Sequence, residues 1–265
     1  MSVREWDGGL PGIMGAAWNG VRYVSTWRKG GISQAPWDSL NLGAHVGDDP
    51  AAVRENRRRV RAALPAEPLW LDQVHGTDVW LADEHSGPAP AGARGAGVPA
   101  AAPCADAAVT CRRGRPLAIM TADCLPVVMA DGAGTVLGVA HAGWRGLAAG
   151  VLDNTLAAMR RQAPSARGWR AWLGPAIGAG AFEVGPEVRA AFVGPDPGAA
   201  AHFMPSGRPD HWLADLAGLA ARRLALLGVE TVEASGECTY RRADRYFSYR
   251  RQARTGRQAT LAWLV

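Results

Sequence analysis

The chain has 265 residues, 48% of them hydrophobic and 20% charged, enough apolar material for a packed core, which sets aside intrinsic disorder. Its formal charge of +5 comes almost wholly from arginine, Lys29 being the one lysine, and these arginines are scattered, with clusters at 57–61 and 241–251. That is not the concentrated basic footprint of a nucleic-acid-binding protein, and no run approaches the roughly 18 apolar residues that cross a bilayer.

In chain order, residues 1–20 carry no recognisable motif and read as a peripheral segment, with Arg4, Glu5 and Asp7 where a secretion leader would be apolar. Apolar and β-branched runs predict strands at 21–27, 69–74, 107–111, 116–121, 125–130 and 135–140. A helix is predicted at 50–64, where Asp48, Asp49 and Pro50 supply a start signal, a second at 144–162 and a third at 211–227, stopped by Gly228. Residues 229–233 and 259–265 close the chain as strands. The stretch 82–103, rich in Gly, Ala and Pro, reads as a long surface loop. The expectation is one α/β (α+β) domain over residues 1–265. Four dispersed cysteines with no CxxC pair point to a reducing compartment, hence a cytoplasmic protein, expected to be a monomer with no nucleic-acid or membrane partner.

Three segments depart from ordinary core or surface composition: Gln73 to Gly76, Ala122 to Pro126 and His141 to Gly146. Each sets a potential metal ligand at a predicted strand end: His75, Cys124 and His141. Consecutive strands joined by a tight turn lie side by side, so Cys124 and His141 are expected to approach one another, with His75 arriving from a neighbouring strand. Two imidazoles and one thiolate suit zinc, and three protein ligands leave the fourth tetrahedral position open for catalysis. Asp123 and Gln73 are candidates for support or proton handling beside them. Taken singly, Cys124 also fits a small buried hydrophobe, and the spacing matches no standard metal motif.

At these residues the sequence strongly resembles the YfiH family, also called PgeF or laccase-domain proteins and often labelled multicopper polyphenol oxidoreductases. The likeness extends through Gly30 to Ser33, Ser39 to Gly43, Val46 to Asp49, Asn56-Arg57, Asp106-Ala107, Gly174 to Gly178, Phe182 to Gly185, Cys238-Thr239, Phe247 to Arg251 and Thr255 to Arg257. The resemblance implies an α/β/β/α sandwich shared with certain toxin deamidase domains, with zinc held by His75, Cys124 and His141. It implies a purine nucleoside phosphorylase, a transferase that splits adenosine, inosine and methylthioadenosine with phosphate into base and ribose 1-phosphate, and a hydrolase activity as adenosine deaminase. It also implies an alternative, an amide hydrolase editing UDP-muramoyl-serine precursors of peptidoglycan.

The residues bear on these labels. Six histidines and no His-x-His pair are too few for a multicopper polyphenol oxidase, so copper is expected only as an adventitious occupant. The H-x-E and P-C-x-x-C signature of zinc nucleoside deaminases is missing too. Phosphorolysis needs an anion site, for which Arg145, at a helix start after His141, is the first candidate. Arg257, Arg57 and Arg250 follow, while Asn41, Gln73 and Asp106 are further substrate-binding candidates, and Trp144 and Tyr249 offer faces to a purine. Cys124, His141, His75 and Asp123 form the catalytic set. A metal-binding partner protein without catalysis is the non-enzymatic reading.

Overall fold

The computed structural model describes residues 11–84 and 102–265. In chain order the elements are strands β1 (Gly12–Ile13) and β2 (Val21–Thr26), helix α1 (Pro50–Ala62), then β3 (Val79–Leu81), β4 (Ala107–Thr110), β5 (Leu117–Thr121), β6 (Leu125–Ala130) and β7 (Leu137–Ala142). Helices α2 (Trp144–Ala149) and α3 (Val151–Gln162) follow, then β8 (Arg170–Leu173), β9 (Glu183–Val184), α4 (Pro186–Val193), β10 (Phe203–Pro205), β11 (Trp212–Ala214), α5 (Leu216–Leu226), β12 (Thr231–Ala234) and β13 (Gln258–Leu264).

Two sheets stack between helices. One has the order β1-β2-β13-β5, the other β12-β8-β6-β7-β4-β3, and a small sheet β10-β11-β9 lies apart from them. The period-two alternation of each strand explains the layers. In β6, Leu125, Val127 and Met129 pack with Leu152, Leu156 and Leu219 of the helices, whereas Val128 and Ala130 join Leu117, Ile119 and Trp172 between the sheets. In β13, Ala262 and Leu264 face the inter-sheet layer, while Ala259 and Leu261 meet Val60 of α1 and Leu40. The order α1, sheet, sheet, helices is the α/β/β/α sandwich expected.

Several boundaries differ from the expectation, each for a local reason. The predicted strand at 69–74 forms only isolated bridges, Leu69 with Leu117 and Asp72 with Cys104. Gln73 replaces main-chain pairing there: its amide donates to Met120 O and accepts from Met120 N, both at 2.8 Å. The predicted helix at 144–162 is two helices, broken where Gly150 adopts φ 97°, a left-handed conformation that glycine reaches without a Cβ clash. The predicted helix at 211–227 begins only at Leu216, after Asp215 caps Gly218 N at 2.9 Å, and its first residues form β11 instead. Residues 11–20 are not peripheral, since Ile13 and Trp18 are buried between the sheets. Residues 1–10, and 85–101 of the expected surface loop, lie outside the described residues.

Candidate metal centre and its cavity

Strands β5 and β6 belong to different sheets, so residues 122–124 make the crossing between the two layers. Asp123 takes φ 96° at this crossing, and its carboxylate accepts from Thr239 Oγ1 at 2.7 Å, Ser248 Oγ at 3.0 Å and Arg250 N at 2.7 Å. Those three bonds hold the strained turn and tie the 248–250 segment to it, which sets the position of the Cys124 thiol. The β6–β7 hairpin places Pro126 opposite His141 and Leu125 opposite Ala142, so Cys124 and His141 stand at one end of adjacent strands.

His75 arrives on a loop rather than a strand, with φ 63°. What holds it is Asp106, a fully buried carboxylate that accepts from the main-chain N–H groups of Val74 at 3.1 Å, His75 at 2.9 Å and Gly76 at 2.6 Å. The same carboxylate meets His141 Nδ1 at 2.8 Å. One side chain therefore orients both imidazole-bearing segments.

The donor atoms of His75, Cys124 and His141 lie within 4.8 Å of one another, and the two imidazole rings are 4.7 Å apart at 70°. Cys124 Sγ is 3.8 Å from His75 Nε2. With Nδ1 of His141 bonded to Asp106, its Nε2 is the atom free to ligate, the carboxylate–histidine–metal arrangement of metal sites. A nitrogen and sulfur donor set of this size can hold a metal ion. Before any metal binds, burial pushes the Cys124 thiol up, but the imidazoles of His141 and His75 outweigh it and bring its pKa to about 6. His141 shows the converse: burial lowers its pKa, and Cys124 and Asp106 raise it to about 9.

These residues floor a cavity of about 460 Å³. Arg145, Arg250 and Arg257 line it as cations, Trp144, Phe182 and Tyr249 as aromatic surfaces. Arg145 stacks 4.4 Å over Trp144, and Tyr249 is 58% exposed. Gln73 lines the cavity, and its amide bonds the main chain of Met120, which anchors that wall. Asp106 and Asn41, expected to touch substrate, are fully buried. Asp106 sits behind the imidazoles, whereas Asn41 Oδ1 accepts from Gly43 N at 3.0 Å and Arg257 N at 2.9 Å. Asp123, expected among the catalytic or supporting groups, lines the cavity with its carboxylate engaged in the three bonds above. Arg57 stacks 4.2 Å over Trp70, and burial lowers its pKa to about 10. The sequence reading missed His45, which lines the cavity; its only signal was a histidine between the turn glycines Gly43 and Gly47.

The profile of the family described as multi-copper polyphenol oxidoreductase laccase matches residues 22–265. The chain belongs to that family. Within it, the chain is similar to a protein named purine nucleoside phosphorylase YfiH from Escherichia coli, 48% identical over 93% of this chain and 95% of that one. It is 49% identical, over 92% of this chain and 93% of the other, to a protein of Pseudomonas aeruginosa also named purine nucleoside phosphorylase. Among solved structures, a Neisseria meningitidis protein superposes with a TM-score of 0.84 at 45% identity, covering 96% of this chain and 98% of the other. YlmD of Geobacillus stearothermophilus gives a TM-score of 0.85 at 27% identity, covering 100% and 97%. The laccase family's label calls for several coppers, yet among the described residues one such donor group forms, of three side chains. Among the described residues no helix is long and apolar enough to cross a membrane.

Proposed function

We propose that this protein is a zinc-dependent purine nucleoside phosphorylase, converting adenosine, inosine and methylthioadenosine with phosphate into base and ribose 1-phosphate. The observation that carries the reading is the meeting of a His75, Cys124 and His141 donor set with three arginines in one cavity. Its volume of about 460 Å³ lies within the range of small-ligand sites, wide enough for a nucleoside beside an anion. The names of relatives 48% and 49% identical support the same chemistry.

In the reaction the bond from C1′ to the purine nitrogen breaks, a phosphate oxygen bonds to C1′, and the departing base takes a proton. The cavity's arginines neutralise phosphate and hold it for attack. Phe182 and Tyr249 offer flat faces to the purine, which stacks in place of water. Zinc, which His75, Cys124 and His141 would hold, would supply Lewis-acid stabilisation of negative charge. His141 keeps its ligating nitrogen turned to the cavity because Asp106 holds the other.

Adenosine deamination, water replacing ammonia at C6 of the purine, is the second activity of the same site. The low pKa of Cys124, about 6, beside His141 favours one alternative, an amide hydrolase acting on muramoyl-serine precursors through the thiolate. Copper oxidase chemistry has no comparable support.

A chromatographic screen of adenosine, inosine and methylthioadenosine, with and without phosphate, tests the proposal. Phosphate-dependent release of base with ribose 1-phosphate supports it. Serine release from the muramoyl precursor, with nucleosides untouched, replaces it with the amide hydrolase.

A further inference from the structure

We infer that His45 and Arg257 together form the subsite for inorganic phosphate in the cavity. This rests on the phosphorylase reading and names the anion's place within it. The cavity's charges already favour an anion, because its lining includes Arg145, Arg250 and Arg257 but a single carboxylate, Asp123, whose oxygens are bonded to Thr239, Ser248 and Arg250 N.

The three arginines are not equivalent. Arg145 stacks on Trp144 at the exposed start of α2. Arg250 donates to Glu183 O at 3.0 Å and lies 5.4 Å over Phe182. Arg257 is built in: its main chain bonds Asn41 Oδ1 at 2.9 Å and Leu42 N at 3.0 Å, and its NH1 donates to Thr255 O and Gly256 O at 3.2 and 3.1 Å. Its stem runs so close to the 41–47 turn that a Cβ on Gly43 would lie 2.8 Å from Arg257 Cγ. Nε and NH2 of its guanidinium hold no hydrogen bond among the described residues, and its charge interacts with Cys124 and Asp123. Arg257 is thus the fixed cation of the cavity that Cys124 also lines.

His45 belongs to the same turn, two residues beyond Gly43, and lines the same cavity. Desolvation and then the Arg257 guanidinium hold its imidazole below the ordinary value, with Asp72 opposing them and Arg57 adding to the depression. A neutral imidazole keeps one N–H to donate to a phosphate oxygen and a second nitrogen to share a proton with the anion. The pair resembles a clamp, with one fixed charge from Arg257 and one neutral donor from His45, whose turn is tethered to Arg257 through Asn41 and Leu42.

The test is calorimetric titration of the zinc-loaded protein with inorganic phosphate, for wild type, His45→Ala, His45→Gln and Arg257→Gln, alongside steady-state kinetics. A lost hydrogen bond to a charged group predicts about 10-fold or more weaker phosphate binding in His45→Ala and Arg257→Gln, with His45→Gln, which keeps an N–H, between them and wild type. The KM for phosphate is expected to rise in step, and that for adenosine to stay within about 2-fold. Unchanged phosphate affinity in His45→Ala and Arg257→Gln, or equal rises in both KM values, overturns the inference. Adenosine 5′-monophosphate binding more tightly than phosphate, and losing affinity in the same variants, overturns the assignment to inorganic phosphate. Phosphate binding lost in the variants without any base release by wild type supports the subsite and removes the nucleoside reading. Base release with phosphate affinity unaltered does the reverse.

Discussion

Asp106 and His141 meet inside the molecule at 2.8 Å, and the carboxylate that receives the imidazole also receives three consecutive main-chain N–H groups at 74–76. Two distant parts of the chain are thereby fixed against one buried group, and the metal donors they carry are fixed with them.

Replacing Asp106 with Asn therefore acts on metal binding without touching a ligand. The amide offers one acceptor where the carboxylate offered two, and it sets N–H against N–H. Zinc affinity, measured by competition with a chelator, is expected to fall about 10- to 100-fold. Stability in denaturant is expected to fall by at least about 2 kcal/mol, as hydrogen bonds to a charged group are lost. Burial opposes ionisation of Asp106, but His141 and the N–H groups of Gly76 and Val74 prevail and depress its pKa. A depressed carboxylate stabilises the fold above its unfolded value and loses that contribution as pH falls through the folded one. The stability gap between wild type and Asp106→Asn should hold at neutral pH and shrink below about pH 4. A gap independent of pH would contradict it.

The metal-free protein carries its own pH signature. Cys124, at about 6, is below the ordinary thiol value of 9.0, so its thiolate predominates at neutral pH. Alkylation of the chelated protein at Cys124, followed by mass spectrometry, should slow as pH falls through about 6. In Asp106→Asn the His141 imidazolium loses support, which moves the alkylation midpoint upward. A wild-type midpoint near 9 would refute this.

How much of this was legible in the sequence depends on the kind of signal. Strands β5, β6 and β7 are continuous apolar runs bounded by turns, and their limits came out within two residues because burial on both faces leaves an unmistakable pattern. The meeting of Cys124 and His141 was legible for a related reason, both being chemically distinctive residues at the ends of such runs, whereas His75 comes in on a loop. The supporting residues were legible only in part: Gln73 and Asp123 stood as candidates for support, but also for substrate contact and catalysis, and Asp106 and Asn41 only for substrate contact. Asp106, Asn41 and Gln73 are polar residues beside turns, and nothing in one dimension separates a side chain that bonds main chain from one that faces a substrate. Gln73 also hid a break: a side chain standing in for a strand ladder leaves the hydrophobic pattern unchanged. His45 lacked an apolar run to end, and only folding brings its turn beside Arg257.

The break at Gly150 gives a prediction on the fold itself. Its φ of 97° is open to glycine, and Gly150→Ala is expected to cost about 1–2 kcal/mol by placing an L-residue in the left-handed region. Urea unfolding should show this loss at constant slope. A variant as stable as wild type would mean that α2 and α3 can join into one continuous helix.

The central claim is that one metal, held by His75, Cys124 and His141, makes this cavity a phosphorylase site. It is tested most directly by titrating zinc into chelated protein while following phosphate-dependent release of base from adenosine. Turnover should rise from nothing and saturate at one zinc per chain, and His75→Ala, Cys124→Ala and His141→Ala should neither bind that zinc nor release base. Full turnover in the chelated protein, or in those three variants, would contradict the account.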